Sequence, residues 1–142
     1  MVSRSVAALL SVALATALSG CSRTTTVHAR FIDGRLAFVG VERELGCIYG
    51  IEVREQATGN LVWQLEDDFS DRKCLGDDPH FYGKAHRQAK TVVAPAKLRL
   101  DTAYEVNGTA KGSDYFGGAF RITHDTRYRV EDLPIKPHGL TE

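Results

Sequence analysis

The side chains of this 142-residue chain that could do chemistry are three cysteines, five histidines and one dense run of carboxylates. His80 and His86 share the stretch D-D-P-H-F-Y-G-K-A-H. Two imidazoles on one loop could share a metal, and the same stretch would equally suit a solvated loop with incidental histidines. None of His28, His80, His86, His124 and His138 stands in H-E-x-x-H or another zinc spacing. Glu66, Asp67, Asp68, Asp71, Asp77 and Asp78 put six carboxylates within 13 residues. Calcium takes six to eight oxygens, but the D-x-[DN]-x-[DN]-G order is absent. Arg72 and Lys73 also offset the charge, so the stretch reads as a solvated acidic loop. Ser113 and His124 could be drawn as a triad with any aspartate, yet nothing selects them. There is no G-x-S-x-G and no G-x-x-x-x-G-K. The expectation is a protein that is not an enzyme and needs no cofactor or metal; the alternative is an envelope hydrolase or metal-binding protein using the His80/His86 loop.

One segment has the character of a recognition surface. Gly112-Ser113-Asp114-Tyr115-Phe116-Gly117-Gly118 surrounds two adjacent aromatics with glycines. It is expected to join two strands as a loop, at the end of the domain opposite the tethered terminus. Neighbours on an extended chain point to opposite faces, so Tyr115 and Phe116 cannot both enter a core there. One exposed aromatic at a loop tip is a typical binding anchor. The competing expectation is that both rings fold back and plug the end of the domain.

The N-terminus reads as an address. Arg4 gives a short positive region, and Val6 to Leu18 is an apolar run of 13 residues. As a helix this run reaches about 20 Å, short of a bilayer core of ~30 Å. It is therefore a signal-peptide core and not a membrane span. The run ends in Leu18-Ser19-Gly20-Cys21, which resembles the lipobox of bacterial lipoproteins. The resemblance implies cleavage before Cys21, with the Cys21 sulfur and the new amine acylated. One acyl chain binds a bilayer only marginally, at ~0.8 kcal/mol per buried CH₂, whereas two or three hold permanently. Ser22 follows the cysteine where an aspartate would signal inner-membrane retention in enterobacterial sorting, so the outer membrane is expected, with the domain on its periplasmic face.

Residues 1–20 are then a signal peptide, 21–26 a lipidated tether, 27–132 the domain and 133–142 a tail. The mature chain has net charge −1, without the basic excess of a nucleic-acid binder. In an oxidising periplasm the remaining cysteines, Cys47 and Cys74, read as one disulfide. It would close a loop of about 27 residues and contribute roughly 3 kcal/mol. The expected partners are the bilayer, through acylated Cys21, and another envelope protein; no nucleic acid is expected.

The elements that must position these residues are strands. Period-2 patterns and turn dipeptides dominate after residue 22. Asp33-Gly34 predicts a tight hairpin that pairs Phe31 with Leu36, Ala29 with Phe38 and Val27 with Gly40. These six share a face, with His28, Arg30, Arg35 and Ala37 opposite. Cys47, Tyr49, Ile51 and Val53 alternate toward a core, Ala57 to Asn60 turn the chain, and Leu61, Trp63 and Leu65 return inward. Further strands are expected at Thr91–Ala94, Ala103–Lys111, Ala119–Thr123 and Arg127–Glu131. Asn107-Gly108 offers a rival hairpin. Leu98, Thr102, Tyr104 and Val106 resemble the corner entering strand F of fibronectin type III and immunoglobulin-like sandwiches, where a tyrosine hydroxyl bonds back to the corner backbone. The expected fold is all-β: an antiparallel immunoglobulin- or fibronectin-III-like β-sandwich of about 7–8 strands, with a small β-barrel as the alternative.

Overall fold

The computed structural model describes residues 24–67, 79–84, 89–110 and 114–135. They form nine strands: β1 (Thr24–Ile32), β2 (Arg35–Gly40), β3 (Ile48–Glu55), β4 (Leu61–Asp67), β5 (His80–Phe81), β6 (Ala89–Val93), β7 (Ala103–Ala110), β8 (Asp114–His124) and β9 (Tyr128–Leu133). No helix occurs among the described residues.

Local chemistry explains the hairpins. Asp33 and Gly34 take φ of 50° and 74°, the left-handed pair a two-residue turn needs. They set β1 against β2 in the expected register, Val27↔Gly40, Ala29↔Phe38 and Phe31↔Leu36. Val27, Ala29, Leu36 and Phe38 enter the core, while Phe31 stays exposed beside the turn. Ala37, expected on the outer face, is fully buried: β5 adds to the free edge of β2 and sets Phe81 directly opposite it. Between β3 and β4 the chain turns at residues 56–60, with Gly59 at φ 72°.

The alternation expected along β3 breaks at Tyr49. The ladder with β7 pairs Ile48 with Ala110 and Gly50 with Thr109, so Tyr49 is the extra residue of a bulge. The core therefore receives Ile48, Ile51 and Val53, while Tyr49 is only half-buried. Nearby, the strand expected from Ala103 prevails over its rival hairpin, and one other expectation is corrected. β7 runs straight through Asn107-Gly108, which is not a turn. β8 begins at Asp114, so Tyr115 and Phe116 are strand residues and not a loop tip.

The sheet order is β5-β2-β1-β8-β7-β3-β4-β6, with β9 also on β8. The all-β class stands, but two purely antiparallel sheets are not what this ladder shows. β8 is a branch point. Tyr115–Gly117 pair in parallel with Thr24–Thr26, and Ala119–His124 pair antiparallel with β9. β1 then leaves β8 and continues with β2. Thr24–Thr26, expected as tether, are thus part of the first strand. Gly118 allows the crossing, because a Cβ there would fall 2.2 Å from the Val27 carbonyl oxygen. The Ala29 N–H, turned away from β8, is taken up by Asp132 Oδ1 on β9 at 3.2 Å.

The two ends of the sheet meet at Tyr82, next to β5. Its hydroxyl proton is shared between the Ala96 carbonyl at 2.8 Å, just past β6, and the Val62 carbonyl of β4 at 3.2 Å. Its ring packs edge-on against Trp63 with centroids 5.1 Å apart. The curled sheet encloses one core, in which Phe120 lies 5.5 Å from Phe38 and 5.7 Å from Tyr104, ring centre to ring centre. The Tyr104 hydroxyl accepts the Arg99 N–H at 2.9 Å, the back-bond that the corner pattern implies.

Candidate functional site

Strand register lays two rows of side chains across the outer face of the sheet. One runs Glu66, Gly50, Thr109, Tyr115, Thr24, and the other Gln64, Glu52, Asn107, Gly117, Thr26. Each row lacks a side chain at its glycine, so a trough opens between β4 and β8. Its volume is about 440 Å³, and Tyr49, Glu52, Glu66, Asn107, Thr109 and Tyr115 are among its walls. That size is within the range of small-ligand and peptide-segment sites. The bulge swings Tyr49 out of the core alternation and into this wall.

Phe116 supports the floor from below. It sits opposite Gly108 in the β7–β8 ladder, and a Cβ on Gly108 would lie 2.2 Å from Phe116 Cζ and 2.3 Å from the Gly50 carbonyl oxygen. Three elements therefore stack through one residue that must lack a side chain. Gly50 differs: the nearest atoms to a Cβ there are 3.6 Å away, an ordinary contact.

The trough is polar at its rim. Arg54 grips Glu52 with two bonds of 2.8 and 3.2 Å, and this hydrogen bonding holds the guanidinium above its usual range. Glu66 is met by an amide instead, accepting from Gln64 Nε2 at 3.0 Å. Glu105, one pair further along β7, is buried and accepts from Gln56 Nε2 at 3.0 Å.

The expected site residues fall as follows. Tyr115 is 55% exposed and Phe116 only 2%, on opposite faces of β8. Neither sits at the end far from the start of β1, because Tyr115 stands directly opposite Thr24, the first residue of that strand. His80 is not on a solvated loop. It is 2% exposed, and its Nε2 lies 3.0 Å from the Gly46 carbonyl oxygen, which engages that ring nitrogen. His86, Cys21, Cys74, His138 and the acidic residues 68–78 lie outside the described residues. Cys47 is disulfide-bonded; its expected partner Cys74 is outside that range. Ser113 is also outside it, but His124 closes β8 about 33 Å from the strand's first residue, at ~3.3 Å per residue. Instead His124 stacks edge-on against Tyr128 at 4.6 Å. No group of three metal-ligating side chains occurs among the described residues.

Tyr49, Gly50 and Thr109 were not anticipated as site residues, and Glu66 was weighed only among the six carboxylates of the acidic stretch. The available signal was Gly50 itself, a glycine inside a strand pattern, which marks a bulge or a close backbone approach. No protein-family model, curated protein or solved structure matches this chain.

Proposed function

We propose that the chain is a lipoprotein of the outer membrane, acylated at Cys21 and facing the periplasm, that acts as a non-enzymatic binding module for another envelope protein. In this reading Cys47 pairs with Cys74 and ties the acidic stretch back to the start of β3. The trough over Gly50 receives a short segment of the partner, with Tyr115 as the aromatic anchor. Tyr115, exposed at the edge of a trough of about 440 Å³ that opens over Gly50 and Gly108, is the observation that carries this reading. An aromatic desolvated at the centre of an interface can contribute about 2 kcal/mol or more.

The test is photo-crosslinking in intact cells from a benzophenone residue at position 115. The expected result is one discrete adduct with an envelope protein, lost when Gly50→Val fills the trough and the melting temperature is unchanged. No adduct, or one indifferent to Gly50→Val, would overturn the binding role. The anchor is tested separately: Cys21→Ser should abolish metabolic palmitate labelling, and persistent labelling would overturn the lipoprotein reading.

A further inference from the structure

The first strand begins only three residues after Cys21. Thr24 is already paired with Tyr115, and only Ser22 and Arg23 separate it from Cys21. Consecutive Cα atoms are 3.8 Å apart, so Thr24 lies at most about 11 Å from Cys21. The headgroup layer on each side of a bilayer is several ångströms deep. A domain joined so briefly cannot swing free of the surface.

Two exposed non-polar side chains flank those first residues. Tyr115 is on the β8 edge of β1. Val41, 48% exposed, is on the β2 edge, where its N–H donates to the Thr26 carbonyl at 3.0 Å. Arg43 closes over the same strand and donates to Thr25 Oγ1 from Nε and Nη2 at 3.1 and 3.0 Å. Tyrosine favours the membrane–water interface, where its ring meets acyl chains and its hydroxyl meets water. Glu42 and Glu44 stand on either side of Arg43, so this end has no cationic excess for anionic lipid.

We infer that the β1 end of the domain rests on the bilayer that holds Cys21, with Tyr115 and Val41 in its headgroup layer and the Ala57–Asn60 turn facing away. The inference rests on the lipoprotein reading above. The contact is aromatic and apolar, so it does not depend on salt. It also places the Tyr115 end of the trough in the headgroup layer, so the partner segment that the trough receives is a membrane-proximal one and meets Tyr115 there.

The test uses the full lipidated protein reconstituted into phosphatidylcholine vesicles containing lipid brominated near the interface. Tyr115→Trp and Thr58→Trp are compared, each keeping buried Trp63 as a common background. The expected result is several-fold stronger quenching at position 115, unchanged in high salt, with little change at position 58. The mass of the mature protein reports Cys21 acylation. Acylated protein with equal quenching at both positions overturns the inference alone. Quenching at 115 that collapses in salt overturns the apolar contact. An unacylated Cys21 overturns both the inference and the reading beneath it.

Discussion

Gly108 and Phe116 face each other across the β7–β8 ladder so closely that the glycine is obligatory: a Cβ there would sit 2.2 Å from Phe116 Cζ. The aromatic ring fills the space the glycine leaves, and the same glycine clears the Gly50 carbonyl above it. Floor and core are thereby one structure. Gly108→Ala is expected to cost about 1–3 kcal/mol, as overpacking does. Gly50→Ala, with nothing nearer than 3.6 Å, should stay within about 0.5 kcal/mol of the parent. Chemical denaturation of the two variants checks the contrast, and equal costs would refute it.

Tyr115 and Phe116 should separate cleanly, although they are adjacent. Phe116→Ala empties a core position and is expected to cost about 3–5 kcal/mol. Tyr115→Ala removes an exposed ring and should leave the melting temperature nearly unchanged while weakening whatever contacts the trough. Thermal unfolding followed by circular dichroism distinguishes them.

Tyr82 sets an alkaline limit on the closure of the sheet. Burial, reinforced by neighbouring Tyr104, pushes its phenol up from 10.0 to about 12. A pKa raised on folding means the neutral phenol is favoured in the native state. Its stabilisation is therefore intact below pH 10 and is lost as pH rises toward about 12. The melting temperature should fall across that window, and Tyr82→Phe should flatten the fall while lowering stability at neutral pH through loss of the Ala96 bond. A slope that is unchanged in Tyr82→Phe would assign it to other groups.

Asp132 holds the place where β1 leaves β8. Without its carboxylate the buried Ala29 N–H has no acceptor, a loss of about 1–3 kcal/mol. Asp132→Ala should speed hydrogen exchange at Ala29 more than at Val53, which lies in the centre of the sheet. Asp132→Asn keeps an acceptor oxygen and should recover most of the protection.

Cys47 and Cys74 should leave no thiol to react with maleimide in denatured, unreduced protein. Stoichiometric labelling of either would contradict the proposed pairing.

Much of the fold was legible in local chemistry. Asp33-Gly34 permits little other than a tight turn, so it fixed the register of β1 on β2 residue by residue. Period-2 patterning identified the strand class and placed Trp63 and Leu65 inward, because alternation is a property of the chain itself. The back-bond to Tyr104 was implied by the resemblance of Leu98, Thr102, Tyr104 and Val106 to a sandwich corner, and the structure supplies its donor, the Arg99 N–H. The same alternation failed at Tyr49, where a single inserted residue shifts the assignment before it, so that Ile48 enters the core in place of Cys47 while Ile51 and Val53 stay inward, and that bulge is specified by a ladder to β7 more than fifty residues away. The strand expected over Ala103–Lys111 held through Asn107-Gly108, whose rival turn signal is overridden because both flanks pair with β3 and because Phe116 needs the glycine's empty side. Above all, the sequence could not reveal that Thr24 lies beside Tyr115. That pairing joins residues about ninety positions apart through a parallel contact, which no hairpin rule encodes. It moved the exposed tyrosine from the far end of the domain to the end where β1 begins. Turn chemistry and alternation act between near neighbours and can be read from the chain. The trough is made by which strands meet across the sheet, and only the closed tertiary structure decides that.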